Sequence, residues 1–237
     1  MGAAELTGDD GAAGPERSRR PGGRQVIPRP AVWTEERDAP WPAGARWSTD
    51  ELVADLPPAA STPAVPTFPG AKVSAVLVAL ADGADGAEVL LTRRSMHLRN
   101  HRGEVSFPGG RGDPGETPVD TALREAHEEV GLDPVRPVVV GELSHLSTVV
   151  SRSYIVPVVA RLDHRPPLVP TSHETDRVMW TPITELTRPG TYHRERWGRA
   201  PLDRPLHFFH LDDETIWGAT AHMLVQLLTR APAPRAA

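Results

Sequence analysis

Cysteine is absent from the 237 residues. Disulfides, thiolate metal sites and a cysteine nucleophile are therefore excluded. No apolar run is long enough to span a bilayer, and the N-terminus lacks the apolar core of a signal peptide. An excess of positive charge is missing too. The net charge of −5 makes neither nucleic acid nor an anionic membrane an expected partner. Residues 1–30 hold almost no large apolar side chain and are rich in Gly, Ala, Pro and Arg. Such a composition cannot bury enough surface to order itself, so it predicts a disordered tail. Neither an internal repeat nor a helix-turn-helix signal is visible. The expected compartment is the cytoplasm.

Proline is plentiful, with 26 residues concentrated near the ends, which marks irregular flanks. Within residues 31–70, Trp33, Trp41 and Trp47 suggest a segment docked on the main domain. Ser48 to Leu56 reads as a short helix, capped by Ser48 and stopped by Pro57-Pro58. The regular domain is expected over residues 71–230, followed by a loose tail at 231–237. Val73–Ala81 is apolar and β-branched, as in a buried strand, and turn signals lead to a returning strand over Glu88–Thr92. Further strands are expected at Val105–Phe107, Val138–Leu143, Ile155–Ala160, Val178–Trp180 and Leu206–His210. Ile183–Leu186 reads as a helical turn, and Trp217–Leu228 as a closing helix with an apolar stripe.

The most informative stretch is Gly110–Leu132. Thr117-Pro118 is a helix start, Asp120 suits the positive helix end, and Gly131 is a helix stop. Val119, Ala122, Leu123, Ala126 and Val130 make one apolar stripe. Glu125, Glu128 and Glu129, spaced i, i+3, i+4, share another face at roughly 5–6 Å between Cβ atoms. Like charges at that spacing repel, and alone they would read as a solvated acidic face. A hard divalent cation removes the repulsion, because Mg2+ takes carboxylate oxygens while keeping waters for a phosphate substrate. Arg124 and Glu116 are placed to pair and brace the preceding loop.

The complete pattern, from Gly110 through Glu116, Arg124-Glu125, Glu128-Glu129 and Gly131-Leu132, resembles the Nudix box. Only Ala126 departs from it, standing where a larger aliphatic is usual. The resemblance implies a Nudix-type α/β/α sandwich with a mixed β-sheet. It also implies a hydrolase of diphosphates that uses Mg2+ or Mn2+, with Glu125, Glu128, Glu129 and the carbonyl of Gly109 as metal ligands. Within the box, Glu128 or Glu129 is a candidate base through the metal. Outside it, Glu174 is a further candidate in the loop before the Val178–Trp180 strand, with Asp176 as its near rival.

Just upstream, Arg93, Arg94, Arg99 and Arg102, with His97 and His101, make a dense cationic loop. Arg binds phosphate oxygens bidentately, so such a loop suits a substrate with several phosphates. Leu90-Leu91-Thr92, Arg94-Ser95, Arg99, Gly103 and Phe107–Gly110 resemble the signature of the coenzyme A diphosphatase branch. Ile216-Trp217-Gly218 is similar to that branch as well. The resemblance implies cleavage of coenzyme A to 4′-phosphopantetheine and adenosine 3′,5′-bisphosphate, with Arg93, Arg94, Ser95, Arg99 and Gly109 at the substrate. The alternatives are Nudix hydrolysis of NADH, nucleotide sugars or nucleoside triphosphates, or a non-catalytic nucleotide-binding regulator. The last fits poorly, because Glu116, Glu125, Glu128 and Glu129 are all present. A small molecule is the expected partner, and a homodimer stays open beside a monomer.

Overall fold

The computed structural model describes residues 20–62, 64–66, 68–98, 101–148 and 152–234. In chain order the elements begin with β1 (Trp33–Glu36), α1 (Thr49–Val53), β2 (Lys72–Gly83), β3 (Gly86–Arg94), β4 (Val105–Ser106) and β5 (Gly109–Arg111). There follow α2 (Pro118–Val130), β6 (Val138–Glu142), β7 (Leu146–Thr148), β8 (Ser153–Arg161) and β9 (Thr175–Pro182). The chain closes with α3 (Ile183–Thr187), β10 (Tyr192–Trp197), β11 (Arg204–His210), β12 (Thr215–Trp217) and α4 (Gly218–Arg230).

β2 is central because its residues are apolar on both faces, as a doubly covered strand requires. It lies in a mixed sheet ordered β4-β3-β2-β8-β6, with β5 also pairing β2, β7 pairing β8 and β9 pairing β3. β2 and β8 run parallel, whereas β2 and β3 form an antiparallel hairpin. Ala75, Leu77, Ala79 and Ala81 face one way and pack with Ala122, Ala126 and Val130 of α2. Small side chains on both sides let the helix approach closely. Ala126 is buried in this alanine-rich contact, which accounts for the small residue there.

Val78 and Leu80 point to the opposite face and join a second core with Val89, Leu91, Phe107, Ile183 and Leu224. α3, α4 and a small antiparallel sheet, ordered β1-β10-β11-β12, cover that side. The result is the expected α/β/α sandwich around a mixed sheet. Trp41 and Trp47 are buried in this second core, whereas Trp33 sits on edge strand β1 and is 39% exposed. The short helix after Ser48 forms with a complete capping box to Glu51. Among the described residues, no helix is long and apolar enough to cross a membrane.

Two departures from expectation stand out. Residues 1–19 lie outside the described ones, as do 235–237 of the expected C-terminal tail, but residues 20–30 are docked and not loose. Arg20 pairs with Glu185 and Asp212, the amide of Gly22 donates to the carbonyl of Leu211 at 2.8 Å, and Arg29 pairs with Glu195. The segment has few apolar groups, so composition hides an attachment made by charge and backbone. The second departure is β10, for which the sequence carries no strand signal. Its Tyr-His-Arg-Glu-Arg-Trp sequence is too polar to signal burial, yet His193 and Glu195 are both buried. Glu195 tolerates this because Arg29, from the docked N-terminal segment, supplies the counter-charge.

Candidate active site

α2 carries the acidic face, and local chemistry fixes its ends. Thr117 accepts from the amide of Asp120 while the Asp120 carboxylate accepts from the amide and hydroxyl of Thr117, completing a capping box. Gly131 closes the helix in the left-handed conformation at φ 71°, which favours glycine. From the next layer, Thr171 donates through its hydroxyl to the carbonyl of Glu128 at 2.7 Å and through its amide to that of Glu129 at 3.0 Å. The loop after β8 thus satisfies carbonyls that a helix end leaves open. Nothing in the composition of that loop marks Thr171 for this task.

Arg124 organises the front of the helix. Its Nε donates to Glu116 Oε1 at 2.8 Å and its Nη2 to Glu116 Oε2 at 3.1 Å, which is the expected brace. The same guanidinium reaches Glu125 at 3.0 Å, Glu128 at 3.2 Å and the carbonyl of Arg111 at 3.1 Å. Arg124 holds the Glu116 carboxyl down at about 2, and Glu116 in turn keeps Arg124 protonated above its ordinary range. One cation therefore ties the loop, β5 and two of the three glutamates together.

The three glutamates occupy different environments. Glu128 is the most open, with a side chain 55% exposed. Burial raises the Glu125 carboxyl above its usual range, although Arg124 pulls the other way. Glu129 is buried on the core edge of the helix, and burial pushes its carboxyl up to about 7. The amide of Gly109 donates to Glu129 Oε2 at 3.3 Å and offsets part of that effect, while Glu125 adds to it. Gly110, paired with Ala75 in β2, lies directly beneath Glu125. A Cβ at Gly110 would overlap the Glu125 carboxyl group.

A buried, partly unneutralised carboxylate beside two others offers oxygen donors that could hold a divalent cation. Oxygen-only ligands of this kind match Mg2+ or Mn2+. The three glutamates of α2 share a face without converging to within 4.8 Å; among the described residues, the one group whose ligand atoms lie that close to one another is Glu35, His193 and Glu195. There Glu195 already accepts from Arg29 and from Trp197 Nε1, so positive charge is present without a metal.

The upstream loop divides between two sets of partners. Arg94 turns toward the glutamates. It pairs with Glu174 at 3.0 Å and acts electrostatically on Glu129, as does Glu174. The Nε of Arg94 is buried and has no hydrogen-bond partner among the described residues. Glu174 therefore stands at the site. Its rival Asp176 lies elsewhere, paired with Arg93 at 2.8 Å. Arg93 itself, expected at the substrate, makes its ion pairs with acidic side chains other than the box glutamates and Glu174. It also pairs at 2.7 Å with the buried Glu214, in a network that Arg177 shares. Arg93 and Arg94 thus meet different partners, at a point where the β3–β9 register shifts. Ser95, also expected at the substrate, is buried. Its hydroxyl accepts from the amide of His97 at 3.3 Å and closes the first turn of the loop. Arg99 lies outside the described residues.

Residues 71–202, more than half of the chain, match the NUDIX domain family. Nudix hydrolase 3 of Caenorhabditis elegans is 38% identical over 168 residues, which span 62% of this chain and 68% of the relative. An uncharacterized Nudix hydrolase, NudL, of Photorhabdus laumondii is 36% identical over 141 residues, or 59% of this chain and 74% of the relative. Among solved structures, the M. smegmatis Nudix hydrolase RenU aligns with a TM-score of 0.43 at 25% identity, covering 50% of this chain and 75% of that one.

Proposed function

This chain is a member of the Nudix family, and from that premise we propose that it cleaves the diphosphate of coenzyme A and its derivatives. Family membership makes it a hydrolase of phosphoric anhydride bonds in nucleoside diphosphate derivatives that works with a divalent cation. The finer reading rests on one juxtaposition. The stretch Leu90–Gly110, which resembles the coenzyme A branch, carries Arg94 directly to the glutamate face.

In this reading Glu125, Glu128 and Glu129, with the carbonyl of Gly109, hold Mg2+ or Mn2+. When bound, the cation supplies charge neutralisation for the diphosphate and lowers the pKa of a water. Arg124 and Glu116 keep the carboxylates oriented. Arg94, whose Nε has no hydrogen-bond partner among the described residues, donates to a non-bridging phosphate oxygen, and Arg99 serves the phosphates from the same loop. Glu174 takes the proton of the attacking water, a role supported by its pair with Arg94 and its electrostatic effect on Glu129. Products are 4′-phosphopantetheine and adenosine 3′,5′-bisphosphate.

The test is parallel turnover of coenzyme A, NADH, nucleotide sugars and nucleoside triphosphates, each with Mg2+ and with Mn2+. The highest kcat/KM is expected on coenzyme A. A higher value on another diphosphate would reassign the substrate within the family. No turnover of any of them would favour a nucleotide-binding regulator.

A further inference from the structure

The docked segment at residues 20–30 borders a groove, which shares Arg24, Gln25 and Met96 with a neighbouring depression lined by Arg93 and Glu214 and not by Arg94. Backbone and side-chain bonds hold the segment to the β11–β12 hairpin. The amide of Gly23 donates to Thr215 Oγ1 at 3.0 Å, Gln25 Nε2 donates to Glu214 Oε2 at 2.8 Å, and the amide of Thr215 donates to Gln25 Oε1 at 3.2 Å. This anchoring leaves Arg24 and Val26 as one wall of the groove. Met96, His101, Arg102 and Glu104 form the other.

The charges in and beside the groove can be assigned one by one. Arg93 and Arg177 are balanced by Asp176, Asp213 and the buried Glu214. His101 pairs with Glu104 at 2.8 Å. Arg24 and Arg102 remain, and neither makes an ion pair among the described residues. Two guanidinium groups facing one groove repel each other, and an anion between them removes that repulsion. Val26 and Met96 are 84% and 50% exposed, so an apolar surface lies beside the two cations.

We propose that Arg24 and Arg102 form a subsite for a phosphate monoester of the substrate, remote from the bond that is cleaved. The inference rests on the coenzyme A reading, since that molecule carries a monoester at its ribose 3′ position. A monoester holds nearly two negative charges at neutral pH and accepts bidentate bonds from two arginines. Met96 and Val26 then pack against the attached nucleoside. Arg94 serves the diphosphate, and Arg24 with Arg102 serves the distal phosphate. Neither Arg24 nor Arg102 belongs to the sequence signature that suggests coenzyme A.

The experiment is calorimetric titration of the full chain, with Mg2+ present, using adenosine 3′,5′-bisphosphate and adenosine 5′-monophosphate. The parent chain is expected to prefer the bisphosphate. Arg24→Ala and Arg102→Ala should each reduce that preference about threefold to tenfold, the worth of one exposed charge-assisted contact. Arg24→Lys should recover part of it, and melting curves verify the fold of each variant. Equal affinity of the parent for both ligands, or an unchanged preference in both alanine variants, overturns the subsite. Displacement of the bisphosphate by equimolar inorganic phosphate overturns the assignment to substrate. Turnover of coenzyme A by the parent chain tests the earlier reading separately. Its absence would sink that reading, whereas turnover with unchanged preferences would sink only the subsite.

Discussion

Glu129 is the residue on which stability and activity oppose each other. Its carboxyl is pushed up to about 7 by burial, so the folded chain without metal binds that proton more tightly than the unfolded chain does. The contribution is present below the ordinary carboxylate range and is lost as pH rises toward 7. The loss amounts to at most roughly 3 kcal/mol for a group this buried. Metal-free protein should therefore melt at progressively lower temperature between pH 4.5 and 7, and Mg2+ should restore the melting point. Glu129→Gln should flatten that pH dependence and lower turnover roughly a hundredfold or more while the fold survives. Parent-like turnover at saturating Mg2+ would remove Glu129 from the ligand set. Gly110→Ala probes the neighbouring carboxylate. The three atoms nearest the added methyl all belong to the flexible end of Glu125, so it should displace that carboxylate, cutting kcat with little change in melting temperature.

At the scale of elements, the decisive piece is the segment at residues 20–30. Arg29 is the main counter-charge of Glu195, whose side chain has no exposure at all. Arg29→Ala leaves a buried carboxylate bonded to Trp197 and His193 without its guanidinium. A loss of about 3–5 kcal/mol is expected, read as a lower denaturant midpoint. Deleting residues 1–30 should cost at least as much, whereas deleting only residues 1–19 should leave melting temperature unchanged. If both deletions melt alike, the docking is not energetically significant. The box helix, by contrast, is legible in the sequence because its cap, stripe and stop all obey local rules. β10 is not, because its buried charges depend on a partner more than 160 residues away.

For the molecule as a whole, the central sheet needs cover on both faces, and the N-terminal region supplies part of it. Trp41 stacks on Phe209 with ring centroids 6.0 Å apart, and Trp47 donates through Nε1 to the carbonyl of Pro232 at 2.9 Å. Removing residues 1–70 would strip both tryptophans and Leu52 from the second core. The truncated chain should be insoluble or molten, measured by dye binding and near-ultraviolet circular dichroism. Trp47→Ala alone should cost about 3–5 kcal/mol. A soluble, cooperative domain starting at residue 71 would show that the first 70 residues are an accessory layer.

The glutamate spacing on α2, the Arg124–Glu116 brace, the apolar strands and the cationic loop were all determined by the sequence itself. Each depends on residues that are neighbours along the chain or on one helix, where periodicity and capping suffice. Tertiary structure alone decided that Arg94 and not Arg93 turns to the glutamates, that Glu174 and not Asp176 joins them, and that Ser95 is buried. It also decided that a segment almost without apolar side chains is fastened to the β11–β12 hairpin. These outcomes hinge on which side chain meets which distant charge. An ion pair between remote residues leaves no periodic trace in the chain that forms it.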